Sequence, residues 1–314
     1  MESPIVKVRK HPTSTTLIAS VGYTPLLELK RIPTDLPKAV RLFAKAEWFN
    51  PSGSVKDRPA ARILRKALAN GDLDDGRVLL DSTSGNMGIS YAMFAASLGR
   101  AVHLAIPSNA SRERMMILKM LGAELTLTDA LEGSDGARIV AAEIAARNPE
   151  RYFFADQYQN DENWRAHYET TGPEITSQTN LQVTHLIAGL GTSGTLMGTG
   201  RYLKEQNKSV QLIAAQPDGP LHGLEGLKDM QSSPLPEIYD PSFPDEIRTC
   251  STEAAYAMAR LLAQEEGLLV GVSSGAAAHI ALQVAHEIDE GLIVVVFPDS
   301  AYKYLDLSFW NGEP

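Results

Sequence analysis

The stretch 40-VRLFAKAEWFNPSGSVKDRPAARI-63 runs from an alternating apolar segment, through a turn built on Asn50, Pro51, Gly53 and Ser54, into a segment with helical spacing. Alternation over 40–48 predicts a strand, and the spacing over 59–70 predicts a helix that stops at Gly71. A strand that hands the chain to a helix through a short polar loop is the repeating unit of open α/β folds, in which functional side chains stand at the carboxyl ends of strands. Lys56 stands at such an end.

The same rhythm continues on both sides of this unit. The strand 77-RVLLD-81 leads through a polar glycine loop into a helix over 88–99. A strand over 101–106 precedes a helix over 111–122, and a strand over 124–128 precedes a helix over 135–148. A second series starts at 184-THLIAG-189 and runs through a helix over 195–206, a strand over 210–217, a helix over 252–267 and a strand over 291–299. Short strands alternating with helices predict two doubly wound parallel sheets, one per subdomain. Residues 51–159 are expected to form a smaller subdomain, and 1–50 with 160–314 a larger one. The stretch 156-DQYQNDENWRAHYETTGPE-174 is polar and turn-rich, a crossing between the two; residues 217–246, with six prolines and no period, form an irregular lobe.

Composition narrows the partners. A chain of 314 residues, 44% hydrophobic and 21% charged, is a globular protein large enough for two subdomains. Its formal net charge of −9 argues against nucleic acid and against an anionic membrane surface, which both call for clustered basic residues, and in favour of a small-molecule partner. The longest apolar runs, such as 292-LIVVVF-297, fall far short of the roughly 20 residues of a membrane helix. The single cysteine, Cys250, excludes an internal disulfide, and 1-MESPIVKVRKHPTSTT-16 lacks the apolar core of a signal peptide, so a cytoplasmic location is expected. The seven histidines include no metal-like pair at helical spacing, and no base lies near Cys250 in sequence, so neither a metal site nor a thiol nucleophile is expected.

Two glycine-rich loops lie between a strand and a helix. In 189-GLGTSGTLMGTG-200 the glycines allow close backbone approach, Thr192, Ser193 and Thr195 offer hydroxyls, and the N-terminal N–H groups of the next helix complete a phosphate site. No Gly-Lys-Ser/Thr follows, which excludes a Walker loop. No acidic residue closes a strand about 20 residues later, so the literal G-x-G-x-x-G at Gly189, Gly191 and Gly194 is weak evidence for a dinucleotide. The loop 82-STSGNMG-88 offers hydroxyls and amides that suit a carboxylate. In 270-VGVSSGAAAHI-280, Ser273 is either a helix cap or a group that hydrogen-bonds a ligand. A placed lysine, a phosphate loop, an anion loop bearing Asn86 and a late serine together suit a phosphorylated aldehyde held as a Schiff base, and pyridoxal 5'-phosphate meets that description.

These segments resemble the cysteine synthase family, which belongs to the fold type II (tryptophan synthase β-like) pyridoxal phosphate enzymes. The family's motifs are matched in order by 50-NPSGSVKDR-58, 83-TSGNMG-88, 170-TTGPE-174, 191-GTSGT-195, 271-GVSSG-275 and 298-PD-299, and the resemblance covers about Val21 to Leu305. It implies a β-replacement in which O-acetylserine or O-phosphoserine loses its β-substituent to leave an aminoacrylate, to which sulfide or a protein thiocarboxylate adds to give L-cysteine. Cystathionine β-synthase-like or serine/threonine dehydratase activity is the alternative on the same fold. The resemblance implies that Lys56 is the Schiff-base lysine and the α-carbon base, that Asn86 meets the ring hydroxyl, and that Ser273 faces the pyridine nitrogen. Gly191, Thr192, Ser193, Gly194 and Thr195 would hold the phosphate. Thr83, Ser84, Gly85 and Met87, with Gln157 across the cleft, would hold the substrate carboxylate. A homodimer is implied as well, and so are a mobile, substrate-binding role for the smaller subdomain, 51–159, and a cofactor-anchoring role for the larger one, 1–50 with 160–314. A neutral hydroxyl on the ring nitrogen makes the ring a weaker electron sink, which favours elimination of a good β-leaving group over transamination.

The chain departs from the family pattern at Tyr23 in 22-GYTPL-26, where asparagine is usual, in 159–167, which lacks the N-P-x-N turn, and at Met87, which replaces the commoner threonine. The first two are expected to bear on substrate access or subdomain closure. His222 and Lys228 are the lobe's cationic candidates for meeting a leaving-group phosphate. The basic cluster 112-RERMMILK-119 reads as the solvated face of a helix, with Arg112 near a strand end.

Overall fold

The structure, a computed structural model, describes residues 16–32, 35–83, 85–305 and 310. In chain order its strands and α-helices are β1 (Leu26–Glu28), β2 (Ala39–Ala46), α1 (Asp57–Asn70), β3 (Val78–Ser82), α2 (Asn86–Ser97), β4 (Val102–Pro107), α3 (Arg112–Met120), β5 (Glu124–Thr128), α4 (Gly133–Arg147), β6 (Tyr152–Phe154), α5 (Glu162–Glu169), α6 (Thr171–Gln178), β7 (His185–Gly189), α7 (Gly194–Gln206), β8 (Gln211–Pro217), β9 (Glu246–Cys250), α8 (Thr252–Glu266), α9 (Val272–Glu287) and β10 (Glu290–Phe297).

The strands form two sheets. One has the order β5-β4-β3-β6 and is parallel throughout; the other has the order β1-β2-β10-β7-β8-β9 and is parallel except where β1 runs against β2 at the edge. Both sheets are covered by helices on both faces, which is why their central strands read as continuous apolar runs rather than as alternating ones. In β10, Val295 faces the core under α8 and α9, while Val294 and Val296 face the core under α6 and α7. In β3, Leu79 packs with α1 and α2, and its neighbour Leu80 packs with α4. The period of two sends successive side chains to opposite cores, so each strand is tied to both.

The stretch 156–174, expected as a turn-rich crossing, contains α5 and the start of α6. The buried stripe of α5 is Asn163, Ala166 and His167. A helix whose inward face is mostly polar gives no apolar period to read. The short strands β1 and β6 carry too few residues to show alternation. Residues 218–245 contain neither α-helix nor strand, as the lobe's composition predicts.

Candidate active site

Four loops leave the carboxyl ends of strands and meet between the two sheets. They follow β2, β3, β7 and β10. The loop after β2 is fastened to the end of β10, where the Val55 N–H donates to the Pro298 carbonyl (2.8 Å) and Ser54 pairs with Asp299 in an antiparallel bridge. This bridge leaves both Lys56 and Asp299 in the lining of one cavity. Burial pushes the Lys56 amine below its ordinary value, with Asp299 acting in the opposite direction. Desolvation disfavours the charged form, so the amine is biased toward its proton-free, nucleophilic state.

Of the expected site residues, Lys56, Asn86, Gly191, Thr192, Thr195 and Ser273 line this cavity, and so do Thr83, Gly85, Met87 and Gln157. Ser193 and Gly194 belong to the same loop but are not among the lining residues. Ser84 lies outside the described residues. Ser273 is the second residue of α9, and Gly271 takes the capping position, so the serine hydroxyl is not the helix cap.

The loop after β7 has the features of an anion site. Ser193 adopts a left-handed backbone (φ +69°), uncommon for a residue with a side chain, and leads straight into the N-terminus of α7. Its hydroxyl is buried with no hydrogen-bond partner among the described residues. The loop is braced by α5. Asn163 donates to the Gln157 carbonyl (2.7 Å) and to Thr192 Oγ1 (3.1 Å), while His167 lies between Thr171 Oγ1 (2.9 Å) and Thr195 Oγ1 (3.3 Å). Burial, reinforced by Arg58 and Lys56, pushes His167 well below its ordinary value and keeps it neutral. Neither brace was expected from the sequence, because a polar stripe on a short helix resembles a solvated face.

The loop after β3 turns on Thr83, whose Oγ1 accepts from the N–H groups of Gly85 and Gly88 (both 3.1 Å). That hydroxyl shapes the loop as well as lining the cavity. The Gln157 amide donates to the Ser82 carbonyl (2.9 Å), and its backbone N–H donates to Asp81 (3.3 Å). Burial, together with nearby Asp156, raises the Asp81 carboxyl to about 7. The Asn86 amide is held at both ends: it donates to Asp299 Oδ2 and accepts from Lys303 Nζ (both 2.6 Å), and Tyr304 also donates to Asp299. Lys303 and Tyr304 carried no signal in the sequence.

Arg112 is exposed; Arg114 instead turns inward and lines the cavity. Arg114 and Leu118 form the buried stripe of α3, an i, i+4 pair that the helical period could have revealed. The Arg114 guanidinium pairs with Glu225 of the lobe and lies 5.0 Å from the centre of the Tyr304 ring. Lys228 of the lobe also lines the cavity, paired with Asp135 of α4. His222 does not line it; its Nδ1 accepts from the Leu224 N–H (3.1 Å). Tyr23 is 72% exposed and is not a lining residue.

A half-buried lysine with a desolvated amine, a phosphate-type loop and a carboxylate-type loop around one cavity are the parts of a site for a phosphorylated carbonyl cofactor. Residues 17–299 match the family model described as pyridoxal-phosphate dependent enzyme. The chain belongs to that family. It is 48% identical over 303 residues to the cysteine synthase of Aquifex aeolicus, covering 95% of this chain and 93% of that one. Cysteine synthase B of Pseudomonas aeruginosa is 40% identical, over 94% of this chain and 97% of that one. The crystal structure of cysteine synthase (OASS) from Entamoeba histolytica superposes with a TM-score of 0.93 at 34% identity, covering 100% of this chain and 95% of that chain. The fold is accordingly that of the fold type II enzymes, the activity is that of a pyridoxal phosphate-dependent cysteine synthase in amino-acid biosynthesis, and the cystathionine and dehydratase alternatives are not favoured. The residues present fit the cofactor. The Ser193 hydroxyl and the N–H groups opening α7, without hydrogen-bond partners among the described residues, are donors that suit phosphate oxygens.

Proposed function

We propose that the enzyme makes L-cysteine from O-acetylserine and sulfide by β-replacement, with Lys56 as its catalytic lysine. The observation that carries this reading is the desolvated Lys56 amine in one cavity with the phosphate-type loop. Pyridoxal 5'-phosphate, when bound, supplies an aldehyde that condenses with amines and a ring that accepts the electron pair released at the substrate α-carbon. Lys56 would hold the cofactor through its aldehyde and, as a free amine, would take the substrate α-proton. Asp299, which favours the ammonium form, stabilises the lysine once it has that proton.

Gly191, Thr192, Ser193, Gly194 and Thr195 receive the phosphate. Asn86, its amide fixed by Asp299 and Lys303, and Ser273, rigid in the first turn of α9, orient the ring. Thr83, Ser84, Gly85 and Met87, with Gln157, receive the substrate carboxylate at the N-terminus of α2. The two cations in the cavity, Arg114 and Lys228, are each matched by a carboxylate, which supports acetate over phosphate as the leaving group. Residues 51–159 move as the smaller subdomain against 1–50 and 160–314, and the enzyme works as a cytoplasmic homodimer.

The test is to mix the holoenzyme with O-acetylserine and then sulfide, and to measure cysteine release in the wild type and in Lys56→Ala. The variant is expected to lose the absorption band of lysine-bound cofactor and to release no cysteine. Sustained β-replacement by Lys56→Ala would remove the lysine assignment, and a higher kcat/KM for O-phosphoserine than for O-acetylserine would remove the leaving-group assignment.

A further inference from the structure

Two residues beyond Lys56, Arg58 occupies the first turn of α1 with a side chain of zero exposure. A cation there opposes the positive end of the helix dipole, and a buried guanidinium is tolerated only where its donors are matched. Arg58 is matched on two sides. Its Nε and Nη2 meet Glu47 Oε2 and Oε1 at 2.6 and 2.8 Å, and its Nη1 and Nη2 meet Glu174 Oε1 and Oε2, both at 2.8 Å. Nη2 also reaches Thr24 Oγ1 at 3.1 Å. Burial alone would push the Glu47 and Glu174 carboxyls up, but Arg58, with Lys45, holds both below their ordinary values.

The geometry has a topological meaning. Glu47 follows directly on β2 and Arg58 opens α1, so their bidentate pair closes the loop 47–58 on itself with Lys56 inside it. Glu174, from the T-T-G-P-E segment on α6, fastens the closed loop to the larger sheet's helical layer. Through Lys45 Nζ (2.7 Å) it also fastens that loop to β2 itself, and through the Tyr23 N–H (2.8 Å) to the segment before β1. Asn50 joins the same ring, donating to Glu47 Oε2 (2.9 Å) and accepting from the Gly22 N–H (2.9 Å). The intervening Asp57 is fixed separately, accepting from Ser52 N–H and Ser90 Oγ (both 2.6 Å).

We propose that Arg58, Glu47 and Glu174 are positioning residues, a clasp that sets where the Lys56 amine points. None of the three lines the cavity, and the clasp acts on the reaction through Lys56. The proposal rests on Lys56 being the catalytic lysine. Lysine in place of Arg58 keeps the charge but loses the planar fork that holds two carboxylates at once. Glutamine in place of Glu174 keeps the shape and halves the pairing.

The experiment removes the cofactor from each protein, adds pyridoxal 5'-phosphate, reduces with borohydride over time across a pH series, and maps the trapped lysine by peptide mass spectrometry; kcat and KM for O-acetylserine are measured alongside. Arg58→Lys and Glu174→Gln are expected to slow trapping at Lys56 and lower kcat by roughly 100-fold, the loss expected for about 1 Å of misplacement, with KM changed much less. Leu262→Ala, a cavity in the core under α8, serves as a control that loses thermal stability while trapping at the wild-type rate. Wild-type trapping rates and pH profiles in Glu174→Gln would overturn the clasp, as would an equal slowing in Leu262→Ala. Trapping of the wild type at a lysine other than Lys56 would overturn the underlying assignment, and with it this one. If Arg58→Lys does not fold, Glu174→Gln decides alone.

Discussion

Gly191 offers the sharpest test of how the phosphate loop is built. A Cβ at this position would lie 2.4 Å from the carbonyl oxygen of Gly226, about 1 Å inside ordinary contact. That carbonyl cannot swing away freely. The lobe is tied to the same loop by the hydrogen bond from Lys228 N–H to the Leu190 carbonyl (2.7 Å), and Leu227 N–H is bonded back to Leu224 (3.0 Å). In Gly191→Ala the loop itself must therefore move by about 1 Å. Overpacking of this kind costs about 1–3 kcal/mol, which corresponds to a cofactor affinity weakened by about 5- to 150-fold if the strain is relieved by displacing the phosphate donors. The measurement is a titration of the apoprotein with pyridoxal 5'-phosphate, followed by tryptophan fluorescence or equilibrium dialysis. Gly219→Ala, where a Cβ meets nothing within 4 Å, is the neutral control. Wild-type affinity in Gly191→Ala, with an unchanged melting temperature, would refute both the contact and the loop's assigned role.

Two further outcomes follow from buried groups near the carboxylate loop. Met87 is 2% exposed and packs in the core shared by α1 and α2, so Met87→Thr is expected to destabilise the protein by roughly 2 kcal/mol or more, read as a lower urea midpoint. If that midpoint does not move, Met87 is not a core residue and its departure from threonine concerns substrate alone. The Asp81 carboxyl, raised from 3.8 to about 7, binds its proton more tightly in the folded protein than in the unfolded chain. Its contribution to stability is therefore full below about pH 4, declines as pH rises to about 7 and is flat beyond. The total is on the order of 4 kcal/mol, and Asp81→Asn should abolish that decline in urea unfolding compared at pH 5 and pH 8. Parallel pH profiles in the two proteins would show that Asp81 ionises normally.

The strand–loop–helix units were legible because each is local. An apolar run of strand length, a glycine or hydroxyl loop and a helical period succeed one another within about 25 residues, and the catalytic candidates fall inside the loops. Lys56, Asn86, Thr192 and Ser273 could be read for the same reason. What escaped the sequence is long-range. Lys303 reaches Asn86 only because the chain after β10 doubles back over the loop after β2, and no local period encodes that return. Asn163 and His167 escaped because their burial is polar. Arg114 was within reach, since it shares a helical stripe with Leu118, but its charge suggested solvent.

These misses have a common physical origin. Apolar burial is cheap and repetitive, so it builds the sheets and leaves a periodic trace. The loops of the site cannot be held that way, because their backbones carry N–H and carbonyl groups that must stay free for ligand or be matched inside the protein. They are held instead by polar side chains from elsewhere in the chain: Asn163 and His167 for the phosphate loop, Lys303 and Asp299 for Asn86, Glu47 and Glu174 for the turn that presents Lys56. Each of these bonds is directional and, once desolvated, costly to break, so each holds an orientation that van der Waals contact alone would leave loose. These buried polar residues therefore point to the loops they serve, and pairing them with the loops, rather than with the apolar cores, is the step that reading by hydrophobic period omits.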